Sequence, residues 1–257
     1  DESLLKAWGI GNGFSGLFGA GYTLLCQYYS ISYFVSFLTV APLGILYPLI
    51  FHFMLDKHVN KPVENADQAV DLEEIESPEP AEEKVPFCSC ANFSKSIRFI
   101  VNNALNFFLQ YVAIGGLSDC SMTLDEKVNK PYIFGIFSIT YQFGGLLVRI
   151  LIKWLITSKL ELITLLLFLS FVVILLNIIF DLFPPIYISI PLCFVGFFGG
   201  MLYMSLFDTI MKQPNTTNKD REIITNYVTV STGASIQVAS AFIILMQNTF
   251  LKKQCIR

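Results

Sequence analysis

Residues Leu162 to Phe180 read LITLLLFLSFVVILLNIIF, nineteen consecutive positions without an ionised side chain. At 1.5 Å of rise per residue a helix of this length spans about 28 Å, close to the roughly 30 Å hydrocarbon core of a bilayer. Working outward, six further stretches have the same character: about Ala7 to Tyr28, Tyr33 to Leu55, Ile97 to Leu117, Tyr132 to Ile152, Ile186 to Phe207 and Ile223 to Phe250. Backbone groups in hydrocarbon must pair within their own segment, so these runs predict an all-α membrane protein with about seven transmembrane helices. Asp181-Leu-Phe-Pro184-Pro185 breaks the pattern, because two prolines cannot continue a helix, and makes the flanking spans antiparallel neighbours.

Composition points the same way. Of the 257 residues 54% are hydrophobic and 14% charged, and mean hydropathy is +0.59. Soluble domains carry roughly 25% charged residues, so the composition argues against a water-soluble enzyme. A net charge of −3 excludes a basic nucleic-acid binder. That charge is unevenly placed: residues 56 to 98 hold ten acidic and five basic side chains, which leaves the remainder at +2. The acidic segment, with Glu73-Glu74, Ser77-Pro-Glu-Pro80 and Glu82-Glu83, has too little apolar content to fold alone and reads as a disordered connector.

Lys and Arg sort by side. Twelve (Lys6, Lys57, Lys61, Lys84, Lys95, Arg98, Arg149, Lys153, Lys159, Lys212, Lys219, Arg221) fall on one side of the expected spans, and Lys127, Lys130, Lys252, Lys253 and Arg257 on the other. The positive-inside rule makes the first side cytosolic, which puts the acidic connector in the cytosol and the last residues opposite it. The sequons Asn92-Phe-Ser94 and Asn215-Thr-Thr217 are then on the unglycosylated side. With no initiator Met, the chain reads as part of a longer protein. Its six cysteines show no disulfide pattern and are expected to be free thiols, with Cys88 or Cys90 open to acylation.

Gly11-Asn-Gly13-Phe-Ser-Gly16 matches a dinucleotide fingerprint in letters only, since no strand precedes it. Gly9, Gly13, Gly16 and Ala20 instead step by four, three and four, forming a smooth helix face that another helix can approach closely. Polar residues also share faces: Asn102, Asn106 and Gln110 on one span, and Asn226, Thr229, Gly233 and Gln237 on the last. Tyr141-Gln142 sits mid-span ahead of Arg149. Lipid-facing amides are costly, so these groups either bond between helices or line a cavity for a polar solute. Arg149 is the basic residue best placed to reach into a span. It either snorkels to the interface with Lys153 or presents five donors to a phosphate or carboxylate. Substrate-binding candidates are thus Arg149, Tyr141, Gln142, Asn106, Gln110, Asn226 and Gln237. Asp181 and Asp208 lie at span ends and His52 near one, so a carboxylate-based proton path has little support. No nucleophile triad, metal cluster or phosphate loop is present, so neither enzymatic activity nor a cofactor is expected.

These residues together resemble the battenin family. Ala7-Trp8 and the glycine-rich run to Gly21 are similar to its glycine-rich fifth span. Tyr141-Gln-Phe-Gly144 with Arg149 resembles its Tyr-Gln-x-Gly and following Arg. Leu182-Phe-Pro-Pro-Ile-Tyr187, Gly199-Gly200-Met-Leu-Tyr203 and Arg221-Glu222 follow in family order. The chain departs from the family at Gln110-Tyr111, where Glu precedes Tyr, at Ile114-Gly-Gly116, which replaces Asn-Gln-Gly, and at Thr232, where an acidic residue is frequent. Cys255-Ile-Arg257 is one residue short of a prenylation box. The resemblance implies an eleven-span bundle related to major facilitator and equilibrative nucleoside transporters, in a lysosomal or vacuolar membrane. Residues 1–55 would end its N-terminal half, 56–97 would be the cytosolic connector, and 98–257 the five-helix C-terminal half. Gly144, Gly199 and Gly200 would join Gly9, Gly13, Gly16 and Ala20 in helix packing. The implied function is secondary transport or export of a small polar metabolite, a glycerophosphodiester or basic amino acid, linked to organelle pH. The alternative is a membrane scaffold whose connector recruits trafficking proteins; a seven-helix receptor lacks its Asp-Arg-Tyr and Asn-Pro-x-x-Tyr signatures.

Overall fold

A computed structural model describes residues 2–50, 52–53, 90–214 and 216–256. Residues 56–89 of the expected 56–97 connector, with Cys88, and the sequon residue Asn215 lie outside the described residues, while residues 90–97, expected to belong to the connector, are already helical. Every long apolar run is a helix: α1 (Glu2–Tyr28), α2 (Tyr33–Ile50), α3 (Cys90–Tyr111), α4 (Tyr132–Leu155), α5 (Leu160–Phe180), α6 (Ser189–Met211) and α7 (Asn218–Asn248). No strand occurs among the described residues. Five segments are long and apolar enough to cross a bilayer, namely Ser96–Cys120, Tyr132–Leu155, Leu160–Phe180, Pro185–Met211 and Asn218–Asn248. The protein is an all-α, multi-pass membrane protein. The helices fall into two units; α1 and everything from α3 onward form one, and α2 belongs to the other. Within its own unit α2 carries Pro42 and Pro48 inside the helix.

Local chemistry sets the helix ends. Thr217 caps α7 by accepting from the Asp220 amide while the Asp220 carboxylate accepts from the Thr217 amide, a reciprocal capping box. α5 stops at Asp181, whose φ of 54° is left-handed. The Asn177 side chain then accepts from the Phe183 amide at 2.8 Å, and Pro185 opens a short 3-10 turn, Pro185–Ile188, that leads into α6. α3 ends differently. Its last turns widen into a π-helical segment, Val112–Leu117, that contains Gly115 and Gly116, before a final α turn at Ser118–Cys120. A Cβ on Gly116 would stand 2.9 Å from Ile243 of α7, so this glycine lets the widened turn pack there.

The helix order across the unit follows from glycine. α4 and α6 share the most extensive contact, α1 packs along α4, and α7 packs along α3. At the α4–α6 crossing a Cβ on Gly144 would run into the Cys193 carbonyl oxygen and lie 3.0 Å from the Phe197 nitrogen. One on Gly196 would meet the Tyr141 carbonyl, and one on Gly200 would come within 3.3 Å of the Gly145 Cα. The contact is backbone to backbone, as small-xxx-small crossings are in membranes. On the other side of α3, the Asn103 side-chain amide donates to Val228 O (3.0 Å), Ser231 Oγ (3.0 Å) and Thr232 Oγ1 (2.8 Å), tying α3 to α7. Interhelical bonds of this kind contribute about 0.6 kcal/mol each in membrane proteins. Asn103→Ala is therefore expected to lower stability by about 1–2 kcal/mol, read as a drop in the unfolding midpoint in detergent.

One sequence expectation is overturned. Cys120 and Cys255 are joined by a disulfide across 135 residues, linking the end of the α3 segment to the short helix Lys252–Cys255 after α7. Cys26 and Cys193 are free. Spacing alone could not pair residues so far apart; the packing of α7 along α3 does. Beside the bridge Lys127 pairs with Asp119 at 3.1 Å and donates to the Cys255 carbonyl at 3.2 Å. Cys255→Ser is expected to expose one reactive thiol on Cys120 and to cost about 2–5 kcal/mol, as loss of a disulfide closing a long loop does. Thiol titration of the unfolded, unreduced protein with and without the substitution checks this.

Candidate functional site

α1, α3, α4 and α6 enclose a cavity of about 240 Å³, placed where glycines thin the helix walls. Its walls carry Asn106 and Gln110 from α3 and Tyr141, Gln142 and Arg149 from α4, five of the seven substrate-binding candidates named by sequence. The remaining two do not join them. Asn226 and Gln237 are exposed on α7, which contributes nothing to this cavity.

Three of the wall residues form a directed chain. The Tyr141 hydroxyl donates to Gln110 Oε1 at 2.6 Å, Gln110 Nε2 donates to Asn106 Oδ1 at 2.6 Å, and Asn106 Nδ2 donates to the Gly199 carbonyl at 3.3 Å. Both amides are fully oriented by this relay, which runs from α4 through α3 to α6. The Tyr141 oxygen, its proton committed to Gln110, keeps its lone pairs for the cavity. Gly199 does more than pack: a Cβ there would overlap the Gln110 carboxamide, so the relay exists because position 199 has no side chain.

Arg149 completes the lining and differs from every other member. Its Nε is buried without a hydrogen-bond partner, and among the described residues no salt bridge reaches the guanidinium. The cavity lining contains no Asp or Glu. Space is made for Arg149. A Cβ on Gly13 of α1 would lie 3.0 Å from Arg149 Nη1, and one on Gly16 would lie 2.5 Å from Gln142 Oε1. Gly9 faces Met204, while Gly9, Gly13 and Ala20 are buried. The small-residue face of α1 thus does two things at once, admitting α4 and leaving room for its two polar side chains.

Sequence reasoning missed several lining residues. Asn12 and Ser15 of α1 stand at the exposed rim, three residues apart beside the glycine face, where they pass unnoticed among packing positions. Phe107, Tyr111 and Tyr203 complete the wall, with Phe107 and Tyr203 in edge contact at 5.8 Å. Asn102 shares the spacing of Asn106 and Gln110 but not their destination. Its oxygen accepts from Thr164 of α5 at 2.6 Å and its nitrogen donates to the Arg98 carbonyl at 2.9 Å.

Comparison with known proteins adds a lineage to this geometry. No solved structure matches the chain. Battenin of Dictyostelium discoideum is 30% identical over 158 residues, which is 60% of this chain and 38% of that relative's length. The chain therefore matches well under half of that protein. A family model described as CLN3 protein matches residues 94–253, a stretch that carries the Tyr141–Gln110–Asn106 relay and Arg149. With more than half of its residues inside that match, the chain belongs to the CLN3 protein family.

Proposed function

We propose that this chain forms part of an organellar secondary transporter that carries a small polar metabolite across a lysosomal or vacuolar membrane by alternating access. The observation that carries this reading is Arg149, a cation without a counter-ion among the described residues, in a polar cavity inside a membrane protein. A half-buried charge left unpaired is costly unless a ligand pairs with it. Glycines at positions 13 and 199 keep the cavity open around groups that could have been packed shut.

The same observation chooses between solute classes. A phosphodiester offers two oxygens to a guanidinium in fork geometry, while Tyr141, Gln142 and Asn12 suit the hydroxyls of a glycerol or sugar. A basic amino acid would bring a second cation to a site with no carboxylate. The anionic glycerophosphodiester is the better match. The battenin resemblance supplies the organelle and its link to pH homeostasis, along with the division of the chain into the end of one half, an acidic cytosolic connector and a five-helix half.

Sidedness has two independent supports. Positive charge concentrates on the connector side, and the Cys120–Cys255 bridge lies at the opposite end of α3 from Arg98. Disulfides persist in oxidising compartments, so the bridged end faces the lumen. The test is reconstitution of the intact protein with labelled glycerophosphodiester, lysine and arginine offered separately. Phosphodiester flux above that of empty liposomes supports the reading, and flux equal to empty liposomes for all three overturns it.

A further inference from the structure

α7 is the least enclosed of the five spans: 22% of its most apolar 18-residue window is buried, against 33% to 50% for the others. Its inner face packs on α3 through Ile224, Val228, Ser231 and Ser235, all buried. The rest of its surface is of two kinds. Val230, Val238 and Leu245 are exposed and apolar, as a lipid-facing surface should be. Beside them runs a second exposed stripe, Glu222, Asn226, Thr229, Gly233, Gln237 and Ser240.

At 100° per residue these six positions fall within an arc of about 80°, and their rise from end to end is about 27 Å, nearly the full hydrocarbon thickness. No apolar side chain interrupts the arc between 222 and 240. The hydroxyls of Thr229 and Ser240 turn back onto the carbonyls of Thr225 and Ile236. The amides of Asn226 and Gln237 make no such bond, and a Cβ on Gly233 would meet nothing within 4 Å. Two carboxamides that bond to nothing among the described residues are costly against acyl chains, and the protein already has a separate face suited to lipid.

We infer that this stripe lines a water-filled passage through the membrane, a second polar wall besides the Arg149 cavity. It deepens the transport reading, on which it rests only for the use made of the water. The stripe is uncharged along its middle, so solute would pass over it by exchanging hydrogen bonds with the amides rather than by being held.

The experiment is cysteine accessibility in the intact protein, in vesicles, with Cys26, Cys88, Cys90 and Cys193 replaced by Ser and the disulfide kept. Single substitutions Asn226→Cys, Thr229→Cys, Gly233→Cys and Gln237→Cys are exposed to a charged, membrane-impermeant methanethiosulfonate, with Val230→Cys, Val238→Cys and Leu245→Cys as the lipid-facing set. Thiolates form only where water reaches, so the stripe positions should react at least about ten times faster than the apolar set. Equal, slow reaction along both faces overturns the inference. Asn226→Leu together with Gln237→Leu gives a second reading that needs no labelling: an unchanged unfolding midpoint supports a wet face, and a fall overturns it, because the amides would then be bonding to another helix. Labelling without flux leaves the passage standing and removes the transport reading; flux without labelling does the reverse.

Discussion

Replacing Arg149 with Ala should reduce phosphodiester flux to near background while leaving the fold intact. Among the described residues the guanidinium has no salt bridge and its Nε no hydrogen-bond partner, so its removal takes away no polar contact to them. Removing a half-buried cation without a partner should hold stability steady or raise it. Its contribution is reserved for a ligand. A hydrogen bond to a charged group contributes about 1.5–3 kcal/mol, so losing a two-pronged contact to a phosphodiester should reduce uptake by about 100-fold or more at low solute concentration. Arg149→Lys keeps the charge and loses the fork, and should recover only part of the flux. Uptake is measured in proteoliposomes and stability by the unfolding midpoint of the same preparations. An Ala variant with full uptake would remove Arg149 from the site; one that unfolds would make it structural.

Gly144→Ala and Gly196→Ala should be the most damaging single-methyl changes in the described protein. Each new Cβ would press on a backbone carbonyl of the opposite helix, Cys193 from Gly144 and Tyr141 from Gly196. A backbone atom within a helix has no rotamer to turn away, so α4 and α6 must move apart. Overpacking of this kind costs about 1–3 kcal/mol, and the upper end applies where only backbone can yield. Separation also draws Tyr141 from Gln110 and opens the relay, so flux should fall with stability. Gly19→Ala and Gly21→Ala are the controls. Nothing lies within 4 Å of a Cβ at either, and Ala favours a helix over Gly by about 0.5–1 kcal/mol, so these should be neutral or stabilising. The comparison is read from unfolding midpoints and monodispersity in detergent. Equal midpoints for all four would show that the crossing is looser than backbone contact.

Much of the cavity was legible in residue order. Tyr141, Gln142 and Arg149 are polar groups in an apolar run, and their cost in lipid already turned them inward. Asn106 and Gln110 are one turn apart, which fixed their common face. The same rule left two destinations open, and Asn102 bonds to another helix while the polar face of α7 stays outside this cavity. Periodicity says which residues share a face, but α3 is surrounded by α5, α6 and α7, and neighbouring positions reach different partners: Asn102 to Thr164, Asn103 to Ser231, Asn106 to Gly199. Gly199 read as a packing residue until its lack of a side chain proved to be the space that Gln110 fills.

Residue order by itself determined the apolar helices, five of them long and apolar enough to cross a bilayer where about seven were expected, and the all-α membrane class, because hydrophobicity per turn and the conformational limits of proline act on neighbours along the chain. Only the tertiary structure decided that the glycine face of α1 opens onto Arg149, that Cys120 meets Cys255, and that the polar stripe of α7 lies outside the cavity. Those outcomes depend on how closely backbones distant in sequence approach one another. That closeness is set by which side chains are missing at each crossing, a property of pairs of helices that no single helix carries.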